Sequence, residues 1–426
     1  MRILAIAVVA ALPVMAASDD TFFLHNVTVH TVSGADIPNG SVYVRDGKIV
    51  GVGAKIAAPK GVKVIEGKNL HVYPGMIDSG TEMGLSEISA VRETTDAVEL
   101  GDFNPQLRAA VAVNPSSEHI PVTRANGITA VMTLPDGGII SGQGSLMHLS
   151  GWTWEEMEVK RTATMHIRFP VINMMSFSFE SGAGIRRTPY VEAKRNYDNQ
   201  IRALHEFFEQ ARRYQRAKAA GAPDFKPDLK YEAMLPVLEK KVTVMIDAVR
   251  ERAIRDAVAF AEKENLQIVL SGVREPGKML PELKAKNIPV ILGPTLELPL
   301  NSDDPYDASY ALPAQLYQAG VKFAFATFGN QFARNLPYQA ANAVAFGLPY
   351  EAALKAVTVN AAEIWGVADK MGSIDEGKWA DLVITDGDPL ETKTQIKQLF
   401  IKGKPVDLDN KHHRLYEKYL NRPASE

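Results

Sequence analysis

The chain has no cysteine in 426 residues. That excludes disulfide cross-links and the thiolate ligand sets of most structural zinc sites. Neither is needed for stability, because a chain this long buries a large core unaided. Long apolar runs are also missing. The one candidate, Ile3 to Met15, is interrupted by Pro13 and too short to span a bilayer. It follows Arg2 and leads into Val14-Met15-Ala16, the pattern of a cleaved secretory signal. Residues 1–17 are therefore expected to be a signal peptide, and the mature protein to be periplasmic or secreted and free of the membrane. A strong charge of one sign is absent as well. Lys and Arg number 47 against 50 Asp and Glu, a net of −3, so nucleic acid is not an expected partner.

Residues 18–73 alternate short β-rich runs with turns. Ser41-Val42-Tyr43-Val44-Arg45 enters Asp46-Gly47, a hairpin signal, and Lys48 to Val52 returns. Residues 74–366 alternate strand and helix patterns, as a parallel α/β unit does. Ile128 to Met132, Val242 to Ile246, Ile268 to Leu270, Ile288 to Leu292 and Val321 to Ala326 are the strand-like runs. The helix from Arg252 carries Ile254, Ala257, Val258 and Ala261 on one face. The count suits an α/β fold of the (β/α)8 TIM-barrel type, with an open doubly wound sheet as the alternative. A charged helical insert over about 190–235 presents Ile201, Leu204, Phe207, Phe208 and Ala211 as one stripe, either an added layer on the barrel or a lid.

Three strings carry a resemblance. VRDGKIVGVG near the start, VYPGMIDSGTEMG at 72–84 and MGSIDEGKWADLVITDGDPLE at 371–391 resemble the amidohydrolase superfamily, in its imidazolonepropionase-like and prolidase-like branch. That resemblance implies a small β-sandwich built from residues 18–73 and 367–426 around an inserted barrel. It also implies hydrolysis of C–N bonds in cyclic amides or dipeptides, with zinc or another divalent ion as cofactor. The family's pattern after the first barrel strand is PGxxDxHxH, and here its two histidine slots hold Gly80 and Glu82. On strand 5, VTVMIDAV places Asp247 in a histidine slot. On strand 6, QIVLSGV places Ser271 in another. On strand 8, FAFATFGN places Phe328 where the family carries its proton-shuttling aspartate.

None of the nine histidines falls in one of those slots. With neither imidazole nor thiolate there, no transition-metal cofactor is expected. Period-2 alternation points Glu82, Asp247, His166 and Arg168 into the lumen. Two buried carboxylates need a counter-charge, for which Arg168 is the first expectation, with Arg250 and Arg274 behind it. The alternatives left open are a salt-bridged plug, a ligand pocket, an all-oxygen hard-cation site and an acid–base pair. The leading expectation is a non-catalytic protein that binds a small molecule or pairs with an active amidohydrolase paralogue, within an oligomer. The alternative is a divergent hydrolase using Glu82, Asp247 and His166. Ser141-Gly142-Gln143-Gly144-Ser145 reads as a loop offering backbone N–H groups or as a tight turn. Trp152 and Trp154 are candidates for the barrel mouth or for anchors of a connection.

Overall fold

The computed structural model describes residues 20–178, 184–221 and 224–423, so the segment 1–17 expected to be a signal peptide lies outside the described residues. Eight strands form the central sheet: β1 Met76–Thr81, β2 Ile128–Thr133, β3 Ile140–His148, β4 Glu158–Arg168, β5 Thr243–Asp247, β6 Ile268–Ser271, β7 Val290–Leu292 and β8 Phe323–Phe325. They hydrogen-bond in the order β8-β7-β6-β5-β4-β3-β2-β1. Alternation sorts their side chains. Val244 and Ile246 of β5 join the cluster under the helices, while Met245 joins Ile77, Val269, Ile291, Ala324 and Trp365 inside the barrel. The packed lumen leaves its upper end, at the C-terminal ends of the parallel strands, as the place for a site.

One strand departs from the expected all-parallel barrel. β3 runs antiparallel to both neighbours, with Ala130 opposite His148 and Gly142 opposite His166. The glycine-rich string 141–145 is therefore neither loop nor turn but the buried middle of this strand. Its glycines serve packing. A Cβ on Gly144 would lie 2.7 Å from both Leu134 and Thr164 side chains. Because β3 runs downward, Trp152 and Trp154 follow it at the lower end and do not line the mouth; Trp152 is almost fully exposed, and Trp154 lies under the Arg161 guanidinium.

The two chain ends meet where Leu382–Thr385 pairs antiparallel with His71–Pro74. Through this pairing the two ends, expected to form a small β-sandwich, join in one hydrogen-bonded sheet of eight strands. The reason is local: Phe22–Val29 pairs along one edge first with Lys63–Glu66 and then with His71–Pro74, which joins the two halves. The sheet curls over Phe22, Leu24, Val42, Ile49, Leu382 and Phe400. At its junction with the barrel, His148 Nε2 lies 3.0 Å from Asp381 Oδ2, both buried.

The insert is a helix, Tyr190–Ala219, followed by Leu229–Leu238, whose first turn is capped by Asp228 accepting from Lys230 N at 2.8 Å. Leu204, Phe207, Phe208 and Ala211 are buried against the barrel layer. Glu264, at the end of the helix Glu251–Lys263, ties the insert down, with Arg212 Nη2 at 2.6 Å and His205 on its other oxygen. Among the described residues no helix is long and apolar enough to cross a membrane.

Asp78 holds the seam between β1 and β8. It is fully buried, and its carboxyl accepts from Gly80 N at 3.2 Å, from Thr327 N at 3.1 Å and from the Thr327 hydroxyl. Burial outweighs these three bonds and pushes the carboxyl up to about 7. Asp78→Ala should cost roughly 3 kcal/mol in urea unfolding, since two buried N–H groups lose their acceptor. Asp78→Asn should be mild, because an amide can still serve Gly80, Thr327 N and the hydroxyl. Between about pH 4 and 7 the folded wild type holds a proton that the unfolded carboxyl has released, so this group's contribution falls as pH rises. Asp78→Asn should remove that fall from the stability–pH curve.

Candidate functional site at the barrel mouth

The upper ends of the strands enclose a cavity of about 350 Å³. Glu82, Asp136, His166, Arg168, Asp247 and Phe328 line it, with Leu134, Pro135, Val249 and Pro294 as apolar wall. A groove of about 550 Å³ at the opposite end, under Thr243, Ile268 and Pro289, is larger. Its charged groups are lysines and Glu363, with Lys322 and Glu363 paired at 2.6 Å and exposed, and it lies at the N-terminal ends of the strands, so the mouth cavity is the better candidate.

At the centre is a three-membered chain. Asp247 Oδ2 lies 3.1 Å from His166 Nε2, and Asp247 Oδ1 accepts the Ser271 hydroxyl. On its other side His166 Nδ1 lies 2.8 Å from the Pro135 carbonyl oxygen. A carbonyl only accepts, so Nδ1 carries a proton; against an ionised Asp247 carboxylate Nε2 donates as well, and this setting favours the doubly protonated ring. Burial opposes that charge, but Asp247, the Pro135 carbonyl and Asp136 together outweigh it and hold the His166 pKa above its usual value. Burial likewise opposes the Asp247 charge, and His166, Ser271 and Arg168 together hold its pKa below the usual range.

The expected counter-charge is thus corrected. Register sets Arg168 beside Asp247, yet its side chain is about half exposed and pairs with Asp136 Oδ1 at 3.1 Å. The reason is reach. His166, two residues earlier on the same face, already fills the space against Asp247, and the longer guanidinium continues past it to the turn after β2. Arg250 turns to Glu275 and Asn301, and Arg274 to Glu297 and Ser309. Glu82 is not bridged to Asp247 either. It is half-buried, its carboxyl has no hydrogen bond or ion pair among the described residues, and burial followed by the negative charge of Asp136 raises its pKa. An open cavity lies where a salt-bridged plug between these two carboxylates was expected.

Gly80 and Ser271 stand behind the cavity wall. Ser271 is buried under Asp247. Gly80 backs the Phe328 ring: a Cβ there would lie 2.8 Å from Phe328 Cε1 and 3.3 Å from Ala326 Cβ. Phe328 itself has φ 48°, a left-handed backbone that costs a residue of this size on the order of 1–3 kcal/mol. Its N–H donates to Gly80 O at 2.8 Å. The two positions fit each other, the small residue making room for the ring. Asp136, missed in the sequence, is a further charged side chain on the cavity wall; its only signal was the Pro135-Asp136-Gly137-Gly138 turn that follows β2.

These residues do not fit a zinc-type cofactor. Both ring nitrogens of His166 and both oxygens of Asp247 are committed to protein partners, and Glu82 and Asp136 supply only carboxylate oxygen. Among the described residues no group of three or more His, Asp or Glu side chains converges as a metal would require.

Comparison with known proteins places the chain. Residues 192–406 match the amidohydrolase family. A protein named amidohydrolase tasK, from Hapsidospora irregularis, is 24% identical over 416 residues, covering 88% of this chain. The chain spans only 41% of that protein's length. The crystal structure of an amidohydrolase from Thermotoga maritima MSB8 superposes with a TM-score of 0.79 at 27% identity, covering 91% of this chain and 99% of that one. A prolidase solved in complex with N-methylphosphonate-L-proline shares the fold at 16% identity and a TM-score of 0.55, over 91% and 99% of the two chains. With the family matched across half of its length, the chain belongs to the amidohydrolase family.

Proposed function

We propose that this protein is an exported, metal-free member of the family whose mouth cavity binds a small molecule without hydrolysing it, either alone or beside an active paralogue. The observation that carries the reading is the His166 ring held between the Pro135 carbonyl and the Asp247 carboxyl, an arrangement that favours its protonated form. A metal ion bound by the family's slots supplies positive charge that activates water. Here the charge facing Asp247 comes from a protonated ring with no free lone pair, which can neither bind a metal nor accept a proton from water. Elemental analysis of the purified protein tests this. Well below one equivalent of Zn, Mn, Fe or Ni is expected, with no change in Tm on adding EDTA, since a site that holds nothing adds no linkage stabilisation. Stoichiometric metal, or a large loss of Tm in EDTA, would overturn the reading.

One observation favours a second reading. Glu82 is an unpartnered carboxyl of raised pKa on the cavity wall, which is the environment of a general base or acid. A divergent hydrolase of C–N bonds would rely on it, with the His166–Asp247 pair as a fixed positive and negative neighbour. Turnover of amide or dipeptide substrates by the metal-free protein, abolished by Glu82→Gln, would move the assignment to this reading.

A further inference from the structure

We propose that the mouth cavity receives a small organic cation, its charged head held by Glu82 and its apolar body set against the ring of Phe328. The inference rests on the metal-free, ligand-binding reading of the cavity and names the class of ligand.

The argument begins with the charges. Three basic groups line the cavity, and each already has an acidic partner in the protein. His166 faces Asp247 at 3.1 Å, Arg168 faces Asp136 at 3.1 Å, and Arg274 faces Glu297 at 3.1 Å. Arg274 is further held by the Leu298 carbonyl and Ser309 Oγ. Glu82 is the lining carboxylate without a partner among the described residues. One negative charge is therefore left over, part-way out of water, and a ligand is the group that can neutralise it. An anionic ligand would have to break one of the three internal pairs to find a cation. A hard inorganic cation fits poorly, because calcium or magnesium asks for six or more oxygens and the committed carboxylates are not free to supply them.

The wall selects further. Leu134, Pro135, Val249, Pro294 and the Phe328 ring give the cavity an apolar side, which asks for an organic body behind the charge. The face of a phenyl ring also attracts a cation directly. At about 350 Å³ the cavity is at the small end for an organic ligand. An alkyl- or arylammonium, or a compact amidine, matches all three properties.

Isothermal titration of the full mature protein with three probes of nearly equal shape tests this: benzylammonium, benzyl alcohol and benzoate. Benzylammonium is expected to bind at least 10-fold more tightly than benzyl alcohol, and benzoate more weakly than either. Glu82→Gln should abolish the preference for the ammonium while leaving the alcohol's affinity within about 3-fold. The wild-type ranking alone decides the matter should that variant fold poorly. Benzyl alcohol or benzoate binding as tightly as benzylammonium would overturn the proposal, as would a preference that survives Glu82→Gln, or no binding by any of the three. Stoichiometric metal in the purified protein would instead overturn the underlying reading, so the two failures are told apart.

Discussion

Replacing His166 by Leu should destabilise the protein by roughly 2–3 kcal/mol, the loss expected when one member of a buried ion pair is removed, reduced for partial exposure. His166 is almost wholly buried, but Asp247 keeps about a third of its side chain in water, so solvent takes up part of the stranded charge. The Pro135 carbonyl also loses its donor. Replacing both residues, His166→Leu with Asp247→Leu, should recover most of the loss, because the desolvation cost leaves with the charges. Asp247→Asn should cost about 1 kcal/mol, since an amide oxygen still accepts from Nε2, but it should lower the His166 pKa. The pH dependence follows from the two directions. A raised His166 pKa stabilises fully below the unfolded value of about 6.5 and is lost as pH climbs through the folded value. A depressed Asp247 pKa stabilises above its unfolded value of about 3.9 and is lost as pH falls through the folded one. Urea unfolding should therefore show the wild type's advantage over Asp247→Asn greatest between about pH 4 and 6.5, and shrinking on both sides.

Gly80→His should be severely destabilising on its own, about 3 kcal/mol or more, because the first side-chain atom alone would meet the Phe328 ring at 2.8 Å. Phe328→Asp alone should be far milder. It opens space beside Gly80 but relieves a left-handed backbone that Asp tolerates better than Phe. Combined, the two changes should cost less than Gly80→His alone, a coupling of at least about 1 kcal/mol in a double-mutant cycle. Adding Glu82→His, Asp247→His and Ser271→His would then rebuild the family's ligand pattern. We expect metal binding at best and little turnover from the five, since the groups that orient such ligands are a separate requirement. Additive single and double effects at positions 80 and 328 would show that the ring and the glycine do not fit each other as described.

The parts of this site that were legible in the sequence are those set by local rules. Strict alternation in VTVMIDAV puts Met245 and Asp247 on the lumen side, and the same rule puts Ala324, Ala326 and Phe328 there. The motif strings then located the slots within those registers. The rest depended on non-local choices. Arg168 and His166 are equivalent by alternation, and only side-chain length decided which one meets Asp247 and which reaches Asp136. Strand β3 was hidden because glycines at 142 and 144 look like a loop until Leu107, Leu134 and Thr164 are packed against them. The end sheet was anticipated from both chain ends, but the way Phe22–Val29 shares one edge between two partners, joining the strands into one hydrogen-bonded sheet, was not. The His148–Asp381 contact joins residues 233 apart and left no trace in either neighbourhood.

The central claim is that a protonated His166, held by Asp247 and the Pro135 carbonyl, supplies the positive charge at this site. Nitrogen-15 and carbon-13 NMR of histidine-labelled protein, titrated from pH 5 to 9 with and without equimolar Zn²⁺, measures it directly. The account predicts that the His166 ring stays doubly protonated at pH 7, titrates above the usual histidine value, and is unmoved by zinc. A singly protonated His166 at pH 7, or a ring nitrogen that shifts as one equivalent of zinc binds, would contradict it.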